Sequence, residues 1–447
     1  MRILIVGAGE VGSSIAASLA DAHEIVVLDI DGERVESLQY AHDVLALTGD
    51  GTDLDDLIDA EVERADVVIA STDDDETNLA TCGTVKTVSD AFTIARVKNT
   101  TYLETWRRHR GAFGADFLVC TDLLAAQAIV RVIDLPTARD VDPFADGSVQ
   151  MAEFEVPADS PIAGQTVAEA DRFDELTFVA VIPDGADCAE VPRGDTLIEG
   201  SSRVVVVGQP PSVREFARAI DPDHAVDEVE DAVIVGGSTT GALTAELLAE
   251  RGITPRIVEL DDGRARDLAE RVPAATVLSH DATDPEFLAR EHVADADVVV
   301  ATLGSDERSL LVALLAKRAG ATRAIAVVEQ PRYVDLFETV GVDVAVNPRE
   351  VTAEEITRFT RERRAENVAI IEPGGAEVLE VEVDDESVLA GRPIRDVVED
   401  LPEGVVVGAI TRNGEYVTPR GDTVVEVGDH VVAFVRANAL DEVTSKL

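Results

Sequence analysis

The sequence has few cysteines and no CxxC pair. Cys82, Cys120 and Cys188 are its three cysteines. Structural zinc sites and disulfide frameworks need closely spaced cysteines, so neither is expected. No apolar run approaches the ~18–20 residues of a membrane-spanning helix, and the stretch 1–12 has the pattern of a strand and a turn rather than of a signal peptide. We therefore expect a soluble, intracellular protein.

Positive charge is also scarce. The chain has 38 Lys+Arg, of which four are lysine, against 88 Asp+Glu, and its net charge is −50. So acidic a chain is a poor candidate for binding the phosphate backbone of nucleic acids. Its self-repulsion needs screening, which ~1 M salt with a Debye length of ~3 Å would supply. We interpret the charge as adaptation to the salt-rich cytoplasm of a halophilic microbe; an ordinary acidic protein is the alternative.

The 447 residues are enough for two to four domains at ~100–200 residues each, and 46% of them are hydrophobic. Several segments recur in the same order along the chain. DVVIA at 66–70 returns as DVVVA at 297–301, and PRGDT at 192–196 returns unchanged at 419–423. These collinear matches predict a tandem duplication, with each copy about half of the chain.

Each half shows two patterns in succession. Short Val/Ile-rich runs alternate with helical patterns over residues 1–120 and 230–348, as in a parallel sheet covered by helices. Period-two patterns with Pro/Gly turns follow over 138–220 and 367–447. The predicted fold class is α/β, with two tandem Rossmann-like parallel-sheet domains, each followed by a small α+β module.

Three connecting segments complete this organisation. Thr121–Leu135 and Glu354–Arg364 have apolar residues at helical spacing and are predicted to be bridging helices. Asp221–Asp231 is acidic, contains a proline and is predicted to be the linker between the halves.

The clearest chemical motif is the glycine-rich turn after the first strand, formed by Gly7, Ala8, Gly9, Glu10, Val11 and Gly12. In a strand–turn–helix, Gly7 would allow the tight turn, Gly9 the approach of a pyrophosphate and Gly12 close helix–strand packing. The N-terminus of the following helix attracts phosphate. Asp29 ends the second strand, where an acid hydrogen-bonds a ribose hydroxyl and disfavours a 2′-phosphate. This pattern predicts NAD(H); a glycine turn without a ligand is the alternative.

Further candidates follow neighbouring strands. Thr72 and Asp73 lie after the fourth strand, at the edge where open α/β sheets bind ligands. Arg96 ends the next strand and is predicted to bind phosphate, with an ordinary surface arginine as the alternative. Asp50 is a candidate acceptor for an adenine amine, or simply the end of a strand.

The second copy of the motif departs from the first. Its residues are Gly236, Gly237, Ser238, Thr239, Thr240 and Gly241. Glu259 stands in for Asp29, whereas Leu303 and Gly304 replace Thr72 and Asp73, and Val327 falls opposite Arg96. The second site is therefore predicted to bind nucleotide more weakly, or to be degenerate.

Catalytic patterns are missing from the sequence. It has no Ser/His/Asp or Cys/His arrangement and no metal-ligand spacing. A dehydrogenase would need an acid/base in a substrate domain. We therefore expect a protein that is not an enzyme; an NAD-dependent oxidoreductase and a structural adaptor with vestigial pockets are the alternatives.

The combination of GAGEVG, VVLDIDGERV, TGDGTD, ASTDDDETN and ARVKNTTYL resembles the nucleotide-binding unit of RCK (KTN) domains. Two such units, each followed by a small module, resemble the regulatory proteins of Trk-type potassium uptake systems. This resemblance implies a cytoplasmic regulator, peripheral to the membrane, that binds NAD(H), or alternatively ATP or ADP. It also implies a potassium-translocating membrane partner and assembly as a dimer or tetrameric ring. Nucleotide contacts would fall on Gly7–Val11, Asp29, Thr72, Asp73 and Arg96, with Gly236–Thr240 and Glu259 as second-half equivalents.

Overall fold

A computed structural model describes most of the chain. The exceptions are residues 21, 136, 187–188, 223–228, 362–366, 372–375, 386, 398–400, 403, 437–438, 440–442 and 444–447. The described part divides into two compact units, one of residues 1–130 and 229–357, the other of residues 131–228 and 358–447. Each unit thus combines segments from both halves of the sequence.

The first half opens with six parallel strands in the order β3-β2-β1-β4-β5-β6. Its strands and helices are β1 (Arg2–Val6), α1 (Glu10–Leu19), β2 (Glu24–Asp29), α2 (Gly32–Ala41), β3 (Leu45–Thr48), α3 (Leu54–Asp59), β4 (Val67–Ala70), α4 (Asp75–Val85), β5 (Phe92–Val97), α5 (Thr100–Arg108), β6 (Phe117–Cys120) and α6 (Thr121–Asp134). The central strands are buried on both faces, as their unbroken apolar runs predict.

Short polar side chains set the starts of the helices in this sheet. The side chains of Asp31, Asp53, Asp74 and Asn99 each accept a hydrogen bond from the first turn of α2, α3, α4 and α5 respectively. Such caps satisfy backbone N–H groups that have no partner within the helix. They fix where each strand-to-helix loop ends, and these loops surround the candidate site.

The first small module is a four-stranded antiparallel sheet in the order β7-β8-β10-β9. Its elements are β7 (Ala138–Phe144), β8 (Val149–Glu155), α7 (Val167–Ala170), β9 (Leu176–Ile182), β10 (Arg203–Gly208) and α8 (Pro210–Ile220). Of the linker predicted at 221–231, residues 223–228 lie outside the described part of the chain.

The second half repeats the parallel sheet in the same order, β13-β12-β11-β14-β15-β16. Its elements are β11 (Ala232–Val235), α9 (Thr239–Glu250), β12 (Arg256–Glu259), α10 (Asp262–Arg271), β13 (Thr276–Ser279), α11 (Pro285–Arg290), β14 (Val298–Ala301), α12 (Asp306–Ala319), β15 (Arg323–Val327), α13 (Val334–Thr339), β16 (Val344–Val346) and α14 (Pro348–Arg361).

The bridging helix α14 begins at Pro348, six residues before the predicted start at Glu354. The reason is a cap that the apolar spacing does not reveal. The side chain of Asn347 accepts hydrogen bonds from the N–H groups of Arg349 and Glu350, at 2.9 and 3.0 Å. Proline is well suited to the first helical position because its missing N–H is not needed there. The predicted end at Arg364 lies outside the described residues.

The second small module is a five-stranded antiparallel sheet, β17-β18-β21-β19-β20. Its elements are β17 (Asn367–Ile371), β18 (Ala376–Glu382), α15 (Ile394–Val397), β19 (Val405–Arg412), β20 (Glu415–Val417) and β21 (His430–Arg436). The two small sheets share one apolar core, to which the first contributes Phe144 and Met151 and the second Val378 and Phe434.

The duplication is visible in detail. In the repeated PRGDT motif, the hydroxyl of Thr196 accepts from the N–H of Arg193, and that of Thr423 accepts from the N–H of Arg420. The predicted fold class of two Rossmann-like domains, each with a small α+β module, is confirmed. Within the portions the structure describes, no helix is both long and apolar enough to cross a bilayer.

Candidate functional site

The first candidate site is a cavity of about 860 Å³ at the carboxyl ends of β1, β2, β4 and β5. Parallel strands present their following loops at this edge, where open α/β sheets bind ligands. The cavity is lined by ten of the predicted residues, namely Gly7, Ala8, Gly9, Glu10, Val11, Asp29, Asp50, Thr72, Asp73 and Arg96. It is also lined by Ile30, Arg34, Thr52 and Arg349, which the sequence interpretation did not select.

The three glycines of the first motif differ in what surrounds them. Gly7 has φ +106°, and a Cβ there would lie 3.0 Å from the backbone nitrogen of Thr72. A Cβ on Gly12 would lie 1.9 Å from the carbonyl oxygen of Gly7, so Gly12 permits close packing, as expected, and does not line the cavity. At Gly9 a Cβ would meet only the Arg34 side chain, at 3.7 Å. The fold therefore does not require a glycine at position 9. A side chain there would extend into the cavity.

The start of α1 is open to an anion. Its N-cap is Gly9, which offers no side-chain oxygen to the first N–H groups of the helix. Those groups and the helix dipole together favour negative charge at this point. The arrangement is the one predicted for a pyrophosphate beside the glycine turn.

Asp29 also braces this loop. Its carboxylate accepts hydrogen bonds from the N–H groups of Ala8, at 2.5 Å, and Asp31, at 2.8 Å. Asp29 is only 8% exposed, yet it lines the cavity. The same carboxylate that was predicted to contact a ribose thus fixes the position of the glycine turn.

Arg96 is a buried residue, which excludes the surface-arginine alternative. It is 3% exposed, its Nε donates to the Thr121 hydroxyl at 3.0 Å, and its Nη1 lies 3.3 Å from a carboxylate oxygen of Asp73. Its Nη2 is buried and has no hydrogen-bond partner among the residues that the structure describes. Burial lowers the pKa of the Arg96 guanidinium, and the charge of Asp73 opposes that shift only in part. A buried donor without an acceptor is costly, so a ligand acceptor would stabilise this side chain.

Asp73 carries the opposing charge. Burial raises the pKa of its carboxyl, but the charges of Arg96, Lys98 and Arg349 outweigh burial and hold that pKa below its usual range. Asp73 is therefore ionised near neutral pH.

A buried asparagine that the sequence interpretation did not single out holds the adjacent loop. The Asn78 side-chain oxygen accepts from the N–H and the hydroxyl of Thr72, at 2.8 and 2.7 Å. Its amide nitrogen donates to the carbonyls of Thr72 and Arg96, at 2.9 and 2.8 Å. One side chain thus ties the loop after β4 to the end of β5. Asn78 lies in the DETN segment that the resemblance includes, but its role in joining two strands follows only from contacts in space.

Asp50 lies at the cavity wall. Its carboxylate accepts hydrogen bonds from both the N–H and the hydroxyl of Thr52, each at 2.8 Å, and these bonds lower the pKa of Asp50. The carboxylate is therefore a fixed, ionised acceptor at the edge predicted for an adenine.

The second half contributes one side chain to this first cavity. Arg349, near the start of α14, forms an ion pair with Glu10 of the glycine turn. The first half makes the corresponding contact with the second glycine turn. Asp122, near the start of α6, accepts a hydrogen bond from the Thr240 hydroxyl of that turn, at 3.0 Å. The two halves therefore interlock through equivalent helix starts and glycine turns.

The second cavity, at the corresponding edge of the other sheet, is smaller, at about 340 Å³. Gly236, Ser238 and Glu259 line it, whereas Gly237, Thr239 and Thr240 do not. The N–H of Gly237 is held by Glu259 at 2.7 Å, as Asp29 holds Ala8. The hydroxyl of Ser238 accepts from the N–H of Gly241, at 3.1 Å, so the helix start has a cap of its own.

The strand ends of the second cavity differ as predicted. Pairing of Ala70 with Ala95 and of Ala301 with Ala326 places Val327 at the position of Arg96. Leu303 and Gly304 occupy the positions of Thr72 and Asp73 in the cavity wall. The second cavity thus lacks the buried guanidinium and offers a helix start that is already capped.

Comparisons with known proteins agree with this organisation. The TrkA-N domain family matches residues 3–121 and 232–348, and the TrkA-C domain family matches residues 151–221 and 378–447. A Trk system potassium uptake protein TrkA homolog of Archaeoglobus fulgidus is 37% identical over 443 residues, which is 99% of each chain.

Two solved structures share the fold over essentially the whole chain. The GsuK RCK domain has a TM-score of 0.61 at 20% identity and covers 99% of this chain and 95% of its own. The GsuK channel bound to NAD has the same TM-score and identity, with coverage of 100% and 78%. The relatives named here are potassium uptake and channel proteins rather than enzymes, in agreement with the expectation of a non-catalytic protein. The chain belongs to the TrkA family of Trk-system potassium uptake proteins.

Proposed function

We propose that this protein is a regulatory subunit that binds NAD(H) in the first cavity and thereby gates a potassium-translocating membrane protein. The observation that carries the nucleotide assignment is the pairing of the uncapped start of α1 with the buried, unpartnered Nη2 of Arg96. Both features supply hydrogen-bond donors and positive charge to a phosphate group. Asp29 at the end of β2 favours a free 2′-hydroxyl, so NAD(H) is preferred to NADP(H).

Several finer assignments belong to the same proposal. ATP or ADP is the alternative ligand, because either also presents phosphates to the turn and a ribose to Asp29. The domain boundaries are 1–120, 138–220, 230–348 and 367–447. We place the protein at the cytoplasmic face of the membrane, as a homodimer or tetrameric ring; the name of the Archaeoglobus relative and the shared GsuK RCK fold support this placement.

Regulation would operate through a shift between two arrangements of the assembly. A ligand shifts such an equilibrium only as far as it binds the two arrangements differently. A hundredfold bias in gating needs a difference of about 2.7 kcal/mol. The chain thus needs no bond-breaking chemistry, only selective binding.

Calorimetric titration with NADH tests the binding site. The wild type should bind with one strong site, and Asp29→Ala should weaken binding by about tenfold or more, because the ribose contact and the brace on Ala8 are both lost. Glu259→Ala, at the equivalent position of the second half, is the matched control and should leave the strong site unchanged. Wild-type affinity in the Asp29→Ala variant would contradict the assignment.

Potassium flux tests the regulatory role. The potassium-translocating membrane protein that co-purifies with the chain should be placed in vesicles, with and without the chain and NADH. NADH should change the flux only when the chain is present, and Asp29→Ala should abolish that change. A potassium flux that is the same with and without the chain, and with and without NADH, would refute gating.

The net charge of −50 supports a salt-rich setting for this regulator. Molar KCl screens the repulsion between the carboxylates, so the melting temperature should rise by several degrees between low and molar KCl. Thermal melts at matched pH measure this change. Equal melting temperatures would show that the acidity is not an adaptation to salt.

A further inference from the structure

We propose that Arg349, which the second half contributes, is a phosphate-binding residue of the first cavity, and that Glu10 competes with the phosphate for it. This inference rests on the proposed nucleotide function and extends it across the two halves. It makes the first cavity a composite site that the first half cannot complete alone.

The position of Arg349 is fixed by its backbone. Asn347, which is 3% exposed, accepts from the N–H of Arg349 and donates to the carbonyl of Val328 at 2.9 Å. This cap joins the first turn of α14 to the residue after β15. The backbone of Arg349 is therefore held in place. Only the side chain needs to rotate for the guanidinium to exchange one acceptor for another.

The present partner of Arg349 is easily exchanged. The side chains of Arg349 and Glu10 are 28% and 47% exposed, and ion pairs with that much access to water contribute little to stability. Glu10 belongs to the first turn of α1, the part of the helix where the dipole favours negative charge. A pyrophosphate bound at that helix start would carry two negative charges against the one of the carboxylate, and it would accept two guanidinium N–H groups as a carboxylate can.

The equivalent position on the other half explains why only the first cavity receives a cation from the opposite half. Asp122, at the corresponding start of α6, meets the second glycine turn through Thr240. Burial raises the pKa of Asp122, and it brings no positive charge to that turn. The same interlocking geometry therefore delivers an arginine to the first turn and an acid to the second.

A consequence follows for regulation. Helix α14 leads along the chain into the second small module, and its first turn carries Arg349. A phosphate held by both the α1 start and Arg349 connects the two halves of the duplication. Nucleotide bound at the first glycine turn would thus also contact the second half of the chain.

The experiment is a calorimetric titration of the full chain at constant KCl with ADP, AMP and adenosine, using Arg349→Gln. We expect at least tenfold weaker binding of ADP and a change of less than twofold for adenosine, which has no phosphate. Arg332→Gln, an exposed arginine of the same half that lines neither cavity, is the matched control and should bind as the wild type does. Glu10→Gln should bind ADP several-fold more tightly, because the competing carboxylate is removed.

Each other outcome has a definite meaning. Unchanged ADP affinity in Arg349→Gln overturns the role of Arg349 while leaving the nucleotide function standing. An equal loss for all three ligands shows a merely structural role and also overturns the proposal. A wild type that binds neither these ligands nor NADH overturns the nucleotide function itself, and with it this inference. A wild type that binds NADH alone moves the same comparison of Arg349→Gln with the wild type to NADH, where unchanged affinity again overturns the role of Arg349. Should Arg349→Gln fail to fold, Glu10→Gln alone decides, since weaker or unchanged ADP binding contradicts competition.

Discussion

The two cavities of this protein share a fold, a strand order and a glycine turn, and yet they offer different chemistry. Gly7 and Gly236 have φ values of +106° and +105°, so the two turns begin with the same left-handed backbone conformation. The differences that bear most on phosphate binding are the replacements of Gly9 by Ser238, Asp73 by Gly304 and Arg96 by Val327. Under the proposed function, the comparison teaches that backbone geometry alone does not make a phosphate site, and that an uncapped helix start and a cation with unused donors are also needed.

The largest effect on NADH binding is expected when Arg96 of the first cavity is replaced by valine, the residue at the equivalent position of the second half. Arg96→Val should weaken NADH binding by roughly a hundredfold, since removing a buried charged donor costs about 3 kcal/mol. Calorimetry measures the loss, and circular dichroism checks the fold. Val327→Ala, at the same sheet position in the second half, should bind NADH normally. A loss below threefold in Arg96→Val would remove the main distinction between the cavities.

The next effect concerns the side chain that holds the loop after β4. Asn78→Ala removes four hydrogen bonds and should cost about 2 kcal/mol of unfolding free energy, because buried polar partners are left unsatisfied. Its counterpart Ser309 makes one longer bond, to the carbonyl of Leu303 at 3.3 Å. Ser309→Ala should therefore cost less than half as much in urea unfolding. Equal losses of unfolding free energy in the two variants would show that Asn78 and Ser309 stabilise their loops to the same extent.

A smaller effect separates the two helix starts. Gly9→Ser should add a cap that occupies the phosphate position, weakening NADH binding by about fivefold to tenfold while stabilising α1 by up to about 1 kcal/mol. Ser238→Ala should lose the cap of α9, costing about 1 kcal/mol, with no effect on NADH binding. Calorimetry and urea unfolding together distinguish these results. Full NADH affinity in Gly9→Ser would mean that the open helix start does not face the ligand.

The smallest effect is a pH dependence that the second half does not share. Because the pKa of Asp73 is held below its usual range, its ionised form stabilises the fold. That contribution is present above the usual pKa of about 4 and disappears as the pH falls through the lower folded value. The difference in unfolding free energy between wild type and Asp73→Asn should be constant from pH 7 to about pH 5 and shrink below pH 4. Urea unfolding at fixed ionic strength measures it, and a difference that grows on acidification would reverse the sign assigned here.

The sequence predicts those features that are encoded locally. Apolar runs and the glycine spacing identify the strands, the turn before α1 and the fold class, and the internal repeat predicts the second sheet. The predicted start of α14 was wrong by six residues, because the helix is capped by Asn347 and this residue does not belong to the apolar periodicity. Three of the predicted second-half residues, Gly237, Thr239 and Thr240, do not line the second cavity. The hydroxyl of Thr240 donates instead to Asp122 of the first half, a contact that the sequence does not reveal.

Other features depend on proximity in space. Asn78 acts on β5, and Arg349 reaches Glu10 across 339 positions of the sequence. Neither contact has a local signature, because each follows from how helices and sheets pack. The nucleotide contacts of the predicted residues stay a prediction until binding is measured.

The opposite charges of Arg349 and Asp122 have an evolutionary meaning. In a symmetric dimer of a single-copy ancestor, one codon would specify both helix starts, and every substitution would appear twice. Joining the copies in one chain separates the two positions, so one can acquire a cation while the other keeps an acid. The tandem duplication thus allows a pseudo-symmetric interface to be charged differently on its two sides, and one pocket to specialise while its twin is free to drift.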